Sequence, residues 1–134
     1  MKTRVLALTA LTVLLSGFGG VAQAAPARAS NHDGTSLVLS VEGVEAEQGI
    51  PLKVTWLDCT GRSGHPRTAD ACADLATAGG DLAALHVGDR ACTMIYEPVR
   101  TRMFGVWRGQ WVSQTRTFPN ACVLAGRAGA LFDF

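Results

Sequence analysis

The sequence predicts an α+β domain: a five-stranded antiparallel β-sheet with two short α-helices packed on one side. Three observations predict it. Apolar and polar residues alternate in several segments bounded by turn-forming residues. Two further segments carry helical spacing with start or stop signals. Four cysteines, Cys59, Cys72, Cys92 and Cys122, lie within one stretch of a 134-residue chain. In a small exported domain that even count reads as two disulfides.

The first residues belong to export rather than to the fold. Lys2 and Arg4 open the chain, and an apolar run over 5–15 follows, broken only by Thr9 and Thr12. Ala22-Gln23-Ala24 then supplies a small-x-small cleavage pattern, so residues 1–24 read as a secretory signal peptide. The run is short of the ~20 apolar residues that a membrane span needs. The expected destination is extracellular. Residues 25–35 are small and polar and read as a flexible N-terminal tail, which leaves 36–134 as the domain.

Within the domain, Leu37, Leu39 and Val41 alternate with Val38, Ser40 and Glu42, a first strand. Leu52, Val54 and Trp56 alternate with Lys53 and Thr55, a second strand ending at Cys59. Residues 61–66 are a loop by composition. A helix is expected over 68–78, capped by Thr68 and stopped by Gly79-Gly80, with Ala71, Cys72, Leu75 and Ala78 on one face. Leu82 and Leu85 are expected to pack near its end, and 87–96 is a second loop. Pro98 opens a strand over 99–106, and a return strand covers 111–118. Asn120 is positioned to cap a short helix through Cys122, Val123 and Leu124. A last strand is expected over 131–134.

Charge narrows the partners. Without Lys2 and Arg4 the chain carries ten basic and eleven acidic residues, so neither nucleic acid nor an anionic membrane is an expected partner. Arg100, Arg102, Arg108 and Arg116 form a local basic stretch, read as solvated positions on a hairpin. An enzyme should show its reacting groups. No GxSxG elbow, CxxC or HxxxH spacing, or glycine-rich phosphate loop occurs. His32, His65 and His86 are scattered, and Ser63 neighbours His65 only in sequence. The chain reads as a non-enzyme with no metal and no cofactor.

The informative segment runs Ala91-Cys92-Thr93-Met94-Ile95-Tyr96-Glu97-Pro98. Met94, Ile95 and Tyr96 are large and apolar where a loop is normally polar. They read either as core or as an exposed loop, held by a disulfide and a proline, that offers apolar side chains to a partner. Such a loop has little ordering entropy left to lose on binding. Four cysteines allow three pairings, which spacing does not decide; joining near neighbours gives Cys59 with Cys72 and Cys92 with Cys122.

Several motifs in one order resemble the Streptomyces subtilisin inhibitor family over essentially the whole exported chain. They are Gly64-His65-Pro66, Ala71-Cys72-Ala73-Asp74-Leu75-Ala76, Gly79-Gly80-Asp81-Leu82 and the Cys92-to-Val99 segment. Gly105-Val106-Trp107-Arg108-Gly109, Arg116-Thr117-Phe118, Asn120-Ala121-Cys122 and Leu131-Phe132-Asp133-Phe134 complete the set. The resemblance implies disulfides Cys59–Cys72 and Cys92–Cys122, a five-stranded sheet with two helices, and a homodimer formed by packing sheets together. It implies inhibition of subtilisin-like serine proteases, with Met94–Ile95 as the reactive bond and Ala91, Cys92, Thr93, Tyr96, Glu97 and Pro98 as the contact loop. Chymotrypsin-like enzymes are secondary expected targets; trypsin is not one, because Met94 carries no cation. The alternative is a non-inhibitory secreted binding module on the same fold. Glu97, Pro119, Ala91 and Asp133 depart from the family's usual residues.

Overall fold

The computed structural model describes residues 34–44 and 52–134. The expected signal peptide and nearly all of the expected tail lie outside the described residues. The elements are β1 (Ser36–Gly43), β2 (Lys53–Asp58), α1 (Thr68–Thr77), β3 (Val99–Trp107), β4 (Gln110–Phe118) and α2 (Ala121–Ala128). They build an antiparallel sheet in the order β2-β1-β3-β4. Both helices bury their apolar residues in the same core as the sheet's inner face.

Period-two alternation explains that core. Leu37, Leu39 and Val41 of β1 point inward; Leu39 stands opposite Met103 of β3, and Leu37 opposite Leu57 of β2. Leu39, Leu57 and Met103 are fully buried. Truncating a buried leucine such as Leu39 to alanine costs about 2–5 kcal/mol, because lost transfer energy and a residual cavity add. α1 covers this face with Ala71, Cys72 and Leu75, and α2 with Leu124 and Ala128. The disulfide Cys59–Cys72 ties the end of β2 to α1. The β3–β4 connection is Arg108-Gly109, with φ of 48° and 80°. Both central residues at positive φ make the type I′ turn that matches strand twist. Thr35 Oγ1 accepts from the Arg108 amide (3.2 Å), and the guanidinium stacks over Trp107.

Three details differ from the sequence reading. β2 forms, but Leu52, Val54 and Trp56 are exposed and Leu57 supplies the core. Thr68 does not cap α1: its hydroxyl donates to the His65 carbonyl (2.8 Å), and Arg67 stands at the cap position without a capping side-chain bond. Residues 131–134 are not a strand. Only Gly129 and Ala130 separate them from α2, and turn hydrogen bonds from Leu131 to Ala128 and from Asp133 to Ala130 hold them close to it. Leu131 and Phe132 still enter the core. The described residues therefore form a four-stranded sheet.

The arginine stretch is also divided by the pleat. Arg100 and Arg102 lie on the outer face beside Glu42 (3.4 and 2.9 Å). Arg116 points inward, stacks on Phe118 and donates through Nη1 to the carbonyls of Leu82 and Leu85 (2.6 and 2.8 Å). It pins the segment after α1 to the sheet.

Candidate functional site

Between Leu85 and Val99 the chain has no regular secondary structure. Here the structure decides between the two readings of the apolar tripeptide. Met94 is 98% exposed, Tyr96 72% and Ile95 57%. Ala91, Thr93 and Glu97 are also exposed, whereas Pro98 is buried and leads straight into β3. Three large apolar side chains in a row in solvent are a poor use of hydrophobic surface in a free protein. Exposed apolar patches of this kind are a general feature of interaction surfaces.

The loop is held at both ends and at its middle. Cys92–Cys122 joins its start to α2, with Cα atoms 5.8 Å apart. At its end the Pro98 carbonyl accepts from Val44 beyond β1 (2.9 Å), and the Glu97 amide donates to the Pro119 carbonyl (2.9 Å). The departure to proline at position 119 leaves that contact available, because only its carbonyl is used. Ahead of the loop, the Val87 amide donates to Arg127 of α2 (2.9 Å). Arg90 lays its stem across α2 at Gly126, where an added Cβ would stand 2.8 Å from Arg90 Cγ. Glycine inside a helix costs roughly 1 kcal/mol relative to alanine, and this close approach accounts for its presence.

Asn120 supports the middle. Its Oδ1 accepts from the Val123 amide (2.9 Å) and so caps α2. Its Nδ2 donates to the Thr93 carbonyl (3.2 Å) and the Ile95 carbonyl (2.8 Å). An amide NH2 has two hydrogens and an amide oxygen accepts, so only this orientation satisfies all three contacts. Asn120 is buried, and both polar atoms of its side chain are paired. The sequence reading assigned Asn120 to the cap alone. The signal for its second role is an asparagine beside the cysteine that anchors the loop, a clue that gains meaning only once the disulfide partner is known.

The remaining polar candidates are structural. Ser63 Oγ donates to the Trp56 carbonyl and accepts from the His65 amide, so it makes no bond to the imidazole ring. His65 is buried: Nδ1 accepts from the Arg67 amide (3.0 Å) and Nε2 lies 3.2 Å from the Leu131 carbonyl. Burial pulls its pKa below the usual histidine value, against the opposing pull of the Leu131 carbonyl. His86 is exposed beside Asp89. Asp133, another departure, pairs with Arg67 (3.0 Å) on the surface. Among the described residues, no cluster of histidine, cysteine or acidic side chains suits a metal ion. A cavity between α1, α2 and the C-terminal turn, lined in part by Val41, Asp74, Leu124 and Phe132, lies away from Met94. The exposed segment from Ala91 to Glu97 does not line it.

Comparison with known proteins gives a consistent result. The family described as Subtilisin inhibitor-like matches residues 33–120. A relative named Subtilisin inhibitor, from Streptomyces albogriseolus, is 43% identical over 121 residues, covering 86% of this chain and 84% of its own. One named Trypsin inhibitor STI2, from Streptomyces longisporus, is 42% identical over 135 residues and covers 96% and 93%. Among solved structures, Streptomyces caespitosus sermetstatin in complex with Bacillus licheniformis subtilisin aligns with a TM-score of 0.62 and 26% identity. The alignment covers 75% of this chain and 99% of that one.

Proposed function

The chain belongs to the subtilisin inhibitor-like family of protease inhibitors, and we propose that it acts by presenting Met94–Ile95 to a subtilisin-like serine protease as a substrate that is barely turned over. The observation that carries this reading is the pairing of a fully exposed Met94 with a backbone fixed on both sides of it.

Met94 enters the primary pocket, and residues 91–93 pair as extended backbone with the enzyme. The catalytic serine attacks the Met94 carbonyl. In an ordinary substrate the new amine at Ile95 would diffuse away. Here the Thr93 and Ile95 carbonyls share one Asn120 amide, Cys92 is bridged to α2, and the Pro98 carbonyl is bonded to the Val44 amide. The two new ends stay together, so resealing competes with hydrolysis. Preorganisation also removes most of the ordering cost of binding. Protease–inhibitor interfaces of ordinary size, roughly 1,200–2,000 Å², are accordingly among the tightest known.

Met94 is long, flexible and uncharged, which suits the apolar pocket of subtilisin and, less well, that of chymotrypsin-like enzymes. It leaves the acidic pocket of trypsin unpaired. The protein acts outside the cell after loss of residues 1–24, and among the described residues no helix is long and apolar enough to cross a membrane.

The outer face of the sheet supports a homodimer. Val54, Trp56, Phe104 and Trp111 are all exposed there, and Val38 stands between Trp56 and Phe104 in register. A second copy offering the same apolar face is the occupant in this reading. Sedimentation should find a dimer that Trp111→Glu dissociates; a monomeric parent at micromolar concentration would refute it.

Titration of subtilisin with the purified mature protein, followed by mass analysis, tests the function. Stoichiometric loss of activity, with the chain intact or clipped only between Met94 and Ile95, is expected. Full activity with rapid digestion would favour the non-inhibitory binding module.

A further inference from the structure

We propose that Met94 is a redox modification site: oxidation of its thioether to the sulfoxide by a peroxide-class oxidant switches inhibition off, a consequence that rests on Met94 filling the protease's primary pocket. The chain has three methionines, Met1, Met94 and Met103. Met1 lies in the expected signal peptide. The other two stand at opposite extremes: Met94 is 98% exposed and Met103 is 0% exposed at the centre of the core. All four cysteines are bridged, so no thiol competes for the oxidant.

The chemistry needs only access. The Met94 sulfur attacks one peroxide oxygen as the O–O bond breaks. One S–O bond forms, the sulfur loses two electrons, and the peroxide's second oxygen leaves as water after taking up the proton. Sulfoxide formation is reversible by methionine sulfoxide reductases, which use thiols to return the two electrons and release the oxygen as water.

The modification changes polarity without touching the scaffold. Asn120 and Cys92–Cys122 hold backbone atoms on either side of Met94 and make no use of its side chain. The sulfoxide oxygen is a strong acceptor, and an apolar pocket must strip its water without replacing it. In a formed complex the same thioether is enclosed and shielded. Oxidant therefore blocks new complexes and leaves existing ones intact.

Treating the mature protein with dilute hydrogen peroxide, mapping oxygen gain by peptide mass and titrating subtilisin tests this. Met94 should oxidise far faster than Met103. The Met94 sulfoxide should need a roughly 10- to 100-fold higher concentration for half-inhibition, with unchanged near-ultraviolet circular dichroism and recovery after reductase treatment. Met94→Leu, whatever its own potency, should inhibit equally before and after peroxide. Unchanged inhibition by protein oxidised fully at Met94, or Met103 reacting as fast as Met94, overturns the proposal. So does an equal loss of inhibition in Met94→Leu, which places the sensitive group elsewhere. Untreated protein that fails to inhibit would instead refute the reactive-bond reading, and the mass map would still report the selectivity of oxidation.

Discussion

Asn120→Asp separates the two tasks of one side chain. Asparagine and aspartate are equally good helix caps, and the Val123 amide needs only an acceptor. A negative charge at the start of α2 is also favourable. Global stability should therefore hold. The loop loses its donors: a carboxylate oxygen would face the Thr93 and Ile95 carbonyls, now 3.2 and 2.8 Å from Nδ2. Two hydrogen bonds at roughly 0.5–1.5 kcal/mol each amount to about 1–3 kcal/mol of lost preorganisation. At 1.4 kcal/mol per tenfold, inhibition should weaken by about 5- to 150-fold. Cleavage between Met94 and Ile95 should speed up, because the new ends are no longer held by one amide. Inhibition progress curves with subtilisin, timed mass analysis of the clipped chain and urea unfolding measure the three quantities. An Asn120→Asp variant that inhibits like the parent would refute the reasoning, as would one whose lost inhibition tracks lost global stability.

Three further outcomes are expected. Met94→Lys should create trypsin inhibition by supplying the missing cation; a variant that still ignores trypsin would show that the reactive bond is misassigned. Selective reduction of Cys92–Cys122 should turn the inhibitor into a slowly digested substrate and cost roughly 2–4 kcal/mol of stability, measured by digestion rate and urea midpoint; undiminished inhibition would remove the rigidity argument. His65 should make stability acid-sensitive. Burial lowers its folded pKa, so the unfolded chain binds the proton more readily. Its contribution is complete above the unfolded value of about 6.5 and is lost as pH falls from there towards the folded pKa. Asp133 raises that folded pKa and Arg67 lowers it. The urea midpoint should fall between pH 7 and 5, and His65→Gln should flatten the slope; an equal slope in the variant would exclude His65 as the cause.

Where local pattern carries the information, sequence and structure agree closely. The hairpin expected over 99–106 and 111–118 is observed as Val99–Trp107 and Gln110–Phe118, because alternation and the Arg108-Gly109 turn specify both strands and their register. The buried face of α1 and the cap of α2 follow for the same reason. β2 and the C-terminal run are less legible. Alternation tells which residues share a face and not which face meets the core, so Val54 and Trp56 are outside and Leu57 inside. Four residues with three apolar members look alike as a strand or as a packed turn.

By itself the sequence determined the α+β class, the stapled small domain and the segment from Ala91 to Pro98 as the unusual one, since composition and short-range periodicity express these directly. Only the tertiary structure decided that Met94, Ile95 and Tyr96 face solvent, that Arg116 points inward, and that Asn120 holds carbonyls 27 and 25 residues away. These depend on what the folded chain brings to the other side of each residue. A local pattern sets the direction of a side chain; burial and long-range hydrogen bonds exist only after distant segments have met.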